Sequence, residues 1–181
     1  MADMVKTKIT AQEFSELPEQ PGFPIVELID GEIILSASPI PRHQIISFRM
    51  GSLIDNVRSD GQVIAAPMDI YLDEFNTVEP DLMWISADRE SIIGEVRIMG
   101  APDLLVEIFS PSTMKRDKIQ KFNLYEKFGV REYWMVDLET EQVEVWVNST
   151  DGFSRLGLYG KTGTFTSPTL GQSVDLTPVF R

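Results

Sequence analysis

Residues 101–137 constrain the fold of this chain more than any other stretch. They begin with an apolar run from Leu104 to Phe109 that only Glu107 interrupts, a pattern typical of a strand covered on both faces. A helical segment follows and should end just before Gly129, because glycine readily adopts the left-handed conformation that terminates helices. Residues 132–136 form a second apolar run. The stretch therefore predicts two parallel strands joined by a crossover helix.

Glu107 gives the first indication of function. A carboxylate buried in an apolar strand costs on the order of several kcal/mol unless a cation or strong donors meet it. The following helix carries Asp117, Lys121 and Tyr125 at i, i+4 and i+8, so these side chains share one face. The hydroxyls between Ser110 and Thr113 can cap the start of this helix. We therefore expect the Lys121 ammonium to point toward Glu107.

The composition is that of a soluble globular protein, and 181 residues are enough for one domain with a substantial core. No apolar run approaches the roughly 20 residues that span a bilayer, and the first ten residues lack the apolar core of a signal peptide. The absence of cysteine excludes disulfides and thiolate metal sites. These features predict a cytoplasmic protein without a membrane partner.

The formal net charge of −12 disfavours a broad electrostatic grip on nucleic acid, which normally requires a basic surface. Local basic patches remain compatible with this charge. Carboxylates that hold a metal ion would themselves add to it. The charge alone therefore disfavours a DNA-binding protein without excluding one.

Local patterns predict the other elements. Thr10 and Glu13 form a capping box for a short helix, and Asp30-Gly31 is a strong turn signal for a β-hairpin. Residues 42–58 have the periodicity of an amphipathic helix. Further strands are predicted at 25–29, 32–35, 62–66, 69–72, 81–85, 142–147 and 153–159. We expect a polar turn over 73–79, irregular structure with one helical turn over 86–100, and a loop-like tail from residue 161.

Asp81 and Glu107 are the strongest candidate site residues, because each begins or interrupts an apolar strand. If these strands are neighbours, the two carboxylates can converge on one hard cation, and Mg²⁺, with Mn²⁺ as its substitute, suits oxygen ligands. Lys121 could then orient a nucleophilic water and stabilise phosphate charge. A metal ion with a lysine is a suitable set of groups for phosphodiester hydrolysis.

These residues resemble a known pattern. Pro80-Asp81, Glu107 and a following lysine resemble the PD-(D/E)xK nuclease superfamily. More specifically, four runs are similar to the Uma-type family of restriction-endonuclease-like proteins, over roughly residues 20–150: ELIDGEI at 27–33, SPIPRHQ at 38–44, EPDL at 79–82, and the stretch 101–137.

The resemblance implies an α/β (α+β) fold of restriction-endonuclease type, with a central mixed β-sheet flanked by helices. It also implies that Asp81, Glu107 and the backbone carbonyl of Ile108 hold the metal ion. The superfamily's lysine usually lies two residues after the glutamate, where this chain has Phe109. Lys121 would be a lysine that has moved to the following helix, a variation that the superfamily tolerates.

Every candidate has a structural alternative. Asp81 could cap a turn, Glu107 could pair with a buried cation, and Lys121 could pair with Asp117 on the helix surface. Four further residues are candidates. Glu27 could be a third acidic ligand or a solvated hairpin residue, and His43 could be a ligand or a helix cap. Asp69 could have a role similar to that of His43, and Asp103 could be an extra site carboxylate or a strand-entry residue.

The leading functional hypothesis is a Mg²⁺-dependent endonuclease that cuts DNA as a homodimer, with residues 142–159 as an interface element. Two alternatives fit the same residues. One is a non-catalytic binding or assembly protein that retains the nuclease fold. The other is a metal-dependent hydrolase of a smaller phosphoester, which agrees better with the acidic charge.

Overall fold

The computed structural model describes residues 8–18, 25–109 and 116–181, with side chains of the last segment from residue 119 onward. Over these residues the chain forms an α+β fold of two large β-sheets, a small β-hairpin and helices packed against the sheets. The predicted fold class is confirmed. In the described part of the chain, no helix has both the length and the apolar character needed to cross a membrane.

The central sheet has six strands and is mixed, as predicted. In chain order they are β3 (Gly61–Ala65), β6 (Leu82–Ser86), β8 (Leu104–Phe109), β9 (Glu132–Asp137), β10 (Gln142–Ser149) and β11 (Gly152–Gly160). Their spatial order is β11-β10-β9-β8-β6-β3. The β8–β9 pair is parallel and the other neighbours are antiparallel.

The strand–helix–strand unit at 101–137 has the predicted form. All six residues of β8 are buried, and α3 (Arg116–Lys127) connects β8 to its parallel neighbour β9. Gly129 has a φ of 77°, the left-handed conformation expected at a helix end. The predicted capping hydroxyls of Ser110 to Thr113 lie outside the described residues.

A second sheet has five strands. They are β1 (Ile25–Ile29), β2 (Glu32–Ser36), β4 (Ile70–Asp73), β5 (Asn76–Val78) and β7 (Ile98–Met99), in the spatial order β2-β1-β5-β4-β7. The β1–β2 hairpin turns at Asp30 and Gly31, whose φ values of 52° and 77° match the turn that this dipeptide favours.

The predicted polar turn over 73–79 is wrong at its centre, because residues 76–78 form the buried strand β5. Its polar side chain Asn76 is satisfied internally: the Oδ1 atom accepts the Asp30 N–H at 2.8 Å, and the amide donates to Asp73 at 2.7 Å. The segment 86–100 contains the expected helical turn, a 3₁₀ helix at Ala87–Ile92, and ends in the short strand β7.

Two further helices have their predicted positions. The short helix α1 (Ala11–Ser15) starts at Thr10 with the predicted capping box. The longer helix α2 (Pro41–Val57) turns Ile46, Met50 and Ile54 onto one face of the central sheet.

The prediction of a loop-like tail from residue 161 is wrong. The tail forms a hairpin of β12 (Thr164–Ser167) and β13 (Gln172–Asp175), and it contributes buried residues such as Phe165 and Val174 to the same core as α2. A second core fills the opposite face of the central sheet, between it, the five-stranded sheet and α3.

Candidate active site

A pocket of about 340 Å³ lies where β1, α2, β8 and α3 come together. Four carboxylates line it, together with one lysine and the only histidine of the chain. These six residues are Glu27, His43, Glu79, Asp81, Glu107 and Lys121. The wall also includes residues 36–40, which lead from β2 into α2.

Asp81 and Glu107 reach this pocket from neighbouring strands. In the antiparallel β6–β8 pair, Leu82 lies opposite Val106, which places Asp81 beside Glu107 at the next position of the register. The Oδ2 atom of Asp81 accepts the backbone N–H of Ile108 at 2.7 Å. The two carboxylates that the sequence singled out therefore lie at one point on the sheet.

Lys121 points from α3 toward Glu107, as expected, and lies between the two large sheets. Its Nζ atom lies 2.9 Å from Oε1 of Glu107 and 2.8 Å from Oε1 of Glu27. Tyr125, one helical turn later, donates its hydroxyl to the same Glu107 oxygen at 2.6 Å. The described contacts of the Lys121 ammonium are thus with two buried carboxylates; the side chain of Asp117, its alternative partner, lies outside the described residues.

Glu27 is a buried member of the site rather than a solvated hairpin residue. Its side chain is 3% exposed, and its Oε1 atom also accepts the backbone N–H of Glu79 at 2.9 Å. Glu27 belongs to β1 of the five-stranded sheet, whereas Glu107 belongs to the central sheet. The ion pairs of Lys121 therefore join the two sheets at the floor of the pocket.

His43 faces the pocket from the first turn of α2. Its Nε2 atom lies 3.2 Å from Oδ1 of Asp81, while its buried Nδ1 atom has no hydrogen-bond partner among the described residues. Burial lowers the pKa of His43, but Asp81, the Ile108 backbone and Glu107 outweigh it, so the pKa lies above its ordinary value. A charged His43 would be held against Asp81.

Two of the candidate residues do not line the pocket. Asp69 lies beside it: burial raises the pKa of Asp69, the charge of Arg97 opposes this shift, and the charge of Glu27 in the pocket adds to it. Asp103 lies at the entry to β8, in agreement with the strand-entry alternative, and does not line the pocket. Its carboxylate pairs with Arg89 at 2.8 Å and with Arg131 at 2.9 Å.

The carboxylates of the pocket are difficult to ionise together. Burial raises the pKa of Glu107 to about 7; Lys121 opposes this shift, and Asp81 and Glu27 reinforce it. Burial likewise raises the pKa of Glu79 to about 7, with Asp69 and Glu27 adding to the shift and Lys121 opposing it. The pKa of Lys121 moves above its usual range, because the attraction of Glu107 and Glu27 outweighs the effect of burial.

Sequence reasoning missed Glu79 and gave Tyr125 no role. Both had a usable signal. Glu79 lies two positions before Asp81, and residues at i and i+2 of an extended segment point to the same side. Tyr125 had already been placed on the helix face of Lys121, where a hydroxyl can reach the same carboxylate.

The donor set fits a hard divalent cation. Within the described residues, no three His, Asp or Glu side chains converge as a complete metal-binding group. Mg²⁺, however, commonly binds one or two carboxylates and keeps several waters, which Asp81 and Glu107 could provide for. Four carboxylates against Lys121 and His43 also leave the pocket with excess negative charge that a cation would neutralise.

Comparisons with known proteins identify a relative in sequence and a solved structure with the same fold. The uncharacterized protein slr1290 of Synechocystis sp. is 24% identical over 159 residues, which cover 86% of this chain and 83% of that protein. A crystal structure from Anabaena variabilis, described as "a putative nuclease belonging to DUF820", has the same fold, with a TM-score of 0.77 and 21% identity. The match covers 95% of this chain and 97% of that one.

A family model identifies the chain more directly. The model of the Uma2 family, described as "Putative restriction endonuclease", matches residues 11–178. The matched region includes both large sheets and every residue of the pocket. The protein therefore belongs to the Uma2 family, a family of restriction-endonuclease-like proteins.

Proposed function

We propose that this Uma2 protein is a cytoplasmic, Mg²⁺-dependent endonuclease that hydrolyses phosphodiester bonds of DNA. Asp81, Glu107 and the backbone carbonyl of Ile108 would hold the metal ion, and Lys121 would be the catalytic lysine. One observation carries the proposal: two adjacent strands and the crossover helix bring Asp81, Glu107 and Lys121 into one pocket.

A bound Mg²⁺ would act as a Lewis acid on the phosphate and would lower the pKa of a bound water. The protein's own groups have distinct tasks. Lys121 stays protonated, because two carboxylates stabilise its ammonium, so it acts as a fixed positive charge and not as a base. Such a charge stabilises the negative charge that develops on a phosphate in the transition state.

Tyr125 and Glu27 support this arrangement. Burial raises the pKa of Tyr125 well above its usual value, and the charges of Glu107 and Glu27 add to the shift. Its hydroxyl therefore remains a donor that orients the Glu107 carboxylate. Glu27 holds the Lys121 ammonium from the opposite sheet. These contacts limit the movement of both groups, and precise placement of this kind is a large part of what catalysis requires.

A smaller phosphoester is the second candidate substrate. Glu27, Glu107 and Lys121 have side chains that are only 3%, 8% and 9% exposed, so the charged groups lie at the floor of a pocket of about 340 Å³. Recessed groups are readily reached by a small phosphate ester. A duplex would have to present a phosphate deep between the sheets.

The variant Glu107→Gln tests the proposal. It keeps the size of the side chain and removes the charge that would hold a metal ion. Calorimetry should detect Mn²⁺ binding to the wild type and not to the variant. With Mg²⁺ or Mn²⁺ at low salt, the wild type should nick or cut plasmid DNA, and the variant should be at least about a thousandfold slower, roughly 4 kcal/mol in the barrier.

The matched control is Glu139→Gln, the same neutralisation at an exposed position. It should bind Mn²⁺ and cut DNA like the wild type. A wild type that binds no divalent ion and cuts no DNA would favour the non-catalytic interpretation. Metal binding with hydrolysis of a small phosphodiester but not of DNA would favour the second candidate substrate.

A further inference from the structure

Helix α2 has one face in the core and an apolar face in solvent. Its inner face carries Ile46, Met50 and Ile54, which are at most 3% exposed. On the outer face, Ile45 is 50% exposed and Phe48 is 77% exposed. The two outer residues are three positions apart and are therefore neighbours on the helix surface. An aromatic side chain this exposed is unusual and typical of an interaction surface.

The arginines of α2 are committed within the protein. Arg42 donates to Glu141 at 2.7 Å. Arg49 donates to the backbone carbonyl of Val179 at 3.2 Å and also to that of Arg181. Binding of a nucleic acid at this face would need free cations for the phosphates, and these two side chains already have other partners.

Charge also decides between kinds of protein partner. A chain with a net charge of −12 can approach a second copy of itself only where carboxylates are few or neutralised. Helix α2 has one acidic residue, Asp55, two turns away from Phe48. Glu141, beside the N-terminal end of the helix, is neutralised by both Arg42 and Lys161, the latter at 3.1 Å. The outer face of α2 is thus apolar and nearly uncharged.

We propose that a second copy of this chain docks on the outer face of α2, with Ile45 and Phe48 of the two copies packed around a two-fold axis. A closed symmetric dimer needs a self-complementary patch, and the apolar pair of Ile45 and Phe48 provides one, with the single acidic residue of the helix, Asp55, two turns away. Phe48 is the anchor, since aromatic side chains at the centre of an interface contribute most of its binding energy.

The edge strand β11 is a poorer interface, although the sequence favoured residues 142–159. It does expose Leu156 and Leu158, which are 43% and 52% accessible. Leu158, however, borders a groove that is also lined by Asp137 and by the ion pair of Arg155 with Glu144, at 3.3 Å. Two copies meeting there would bring their Asp137 carboxylates together and would remove the ion pair from water, and both effects oppose association.

If the proposed nuclease activity holds, this dimer explains how both strands of a duplex are cut. Ile40 lines the pocket and immediately precedes α2. Phe48 is eight residues further on, about 12 Å along the helix at 1.5 Å per residue. An axis that passes Phe48 would therefore place two pockets on either side of itself.

Cysteine cross-linking tests the interface without any assay of activity. The chain has no cysteine, so Ile45→Cys introduces the only thiol and leaves the Phe48 anchor in place. Near a two-fold axis, two such thiols can meet the Cα separation of about 4.4–6.8 Å that a disulfide needs. With oxidised glutathione as oxidant, which is reduced to two glutathione molecules, Ile45→Cys should form a covalent dimer. The control Val96→Cys, at a position 78% exposed, should form no covalent dimer.

Light scattering provides the second test. The wild type at about 50 μM should have twice the chain mass of 20.5 kDa, and Phe48→Glu should have the mass of one chain with an unchanged circular dichroism spectrum. Val96→Glu and Leu158→Glu should remain dimers. A monomeric wild type, or dissociation by Leu158→Glu and not by Phe48→Glu, would overturn the proposal. Neither cross-linking nor light scattering needs metal or DNA. The dimer proposal can therefore fail while the nuclease proposal holds, and the nuclease proposal can fail while the dimer proposal holds.

Discussion

Two buried carboxylates, Asp103 just before β8 and Glu107 within it, have opposite surroundings. Asp103 accepts the backbone N–H and the hydroxyl of Ser86, both at 2.9 Å, and pairs with Arg89 and Arg131. Glu107 has one cation, Lys121, and shares it with a second buried carboxylate. An acid with two cationic partners therefore precedes the strand, and an acid in a cluster with fewer cations than carboxylates lies within it.

The difference separates a structural cluster from a binding site. Burial alone would raise the pKa of Asp103, but the hydrogen bonds from Ser86 and Arg89 and the charge of Arg89 bring it below its usual value. Burial raises the pKa of Glu107 to about 7, and Lys121 only partly offsets the shift. A balanced cluster needs nothing further, whereas an acidic excess in a pocket can be relieved by a proton or by a cation.

The largest expected effect comes from removing the shared cation. Lys121→Met leaves Glu27 and Glu107 facing each other with no ammonium between them, so the free energy of unfolding should fall by about 3–5 kcal/mol. Urea denaturation at pH 8 measures this loss. The double variant Glu27→Gln, Lys121→Met should recover part of it, because only one buried charge then remains. A loss below about 1 kcal/mol would contradict the description of a cluster short of cations.

Neutralising Asp103 should have the next largest effect. Asp103→Asn removes the charge that Arg89 and Arg131 neutralise, and the free energy of unfolding should fall by about 2–3 kcal/mol, since both arginines are partly exposed. The isosteric Glu107→Gln variant should lose no stability. The affinity for Mn²⁺ should show the opposite order from stability. It should be unchanged in Asp103→Asn and lost in Glu107→Gln. Similar responses of both variants in both measurements would remove the distinction between the two clusters.

The smallest expected effect is a dependence of stability on pH. The cluster around Glu107 and Glu79 should show it, and the cluster around Asp103 should not. The pKa of Glu79 is raised from 4.5 to about 7, so between these values the folded protein binds a proton that the unfolded chain has released. Its contribution to stability is therefore most favourable below pH 4.5 and declines as the pH rises to about 7. The decline should be on the order of 1 kcal/mol, because Glu79 is only half-buried.

Melting temperatures from pH 5 to 8 in a metal-free buffer measure this dependence. Glu79→Gln should gain stability relative to the wild type as the pH rises. Asp103→Asn should differ from the wild type by a constant amount over the same range, because the pKa of Asp103 lies below its ordinary value of 3.8. A difference between Glu79→Gln and the wild type that does not vary with pH would show that the Glu79 carboxyl is already ionised at pH 5.

Elements with local signals could be predicted from the sequence. The Asp30-Gly31 turn, the Thr10 capping box and the unit at 101–137 are encoded by adjacent residues. The C-terminal hairpin could not be predicted, because its strands have only four residues each and their support is distant in the chain. Buried Glu132 accepts the hydroxyl of Ser167 at 2.8 Å and the N–H of Thr169 at 2.9 Å, contacts that no local pattern indicates.

The sequence predicted a site residue where it also indicated that a charged side chain would be buried. Asp81 and Glu107 were recognised because each begins or interrupts an apolar strand, and Lys121 because it lies on the helix that follows Glu107; the structure places all three in one pocket. Glu27 was harder to assign, because its hairpin looks exposed until a second sheet covers it. The sequence also predicted the strands at 62–66 and 69–72, but no local pattern indicated that β3 and β4 belong to different sheets.

The Glu27–Lys121 contact across the two sheets has an evolutionary consequence. Glu27 without Lys121 would be a buried carboxylate that has lost its ion pair, which costs on the order of several kcal/mol, whereas Lys121 without Glu27 would still pair with Glu107. Relatives with a neutral residue at position 121 should therefore also have a neutral residue at position 27, while relatives that keep the lysine can vary at position 27.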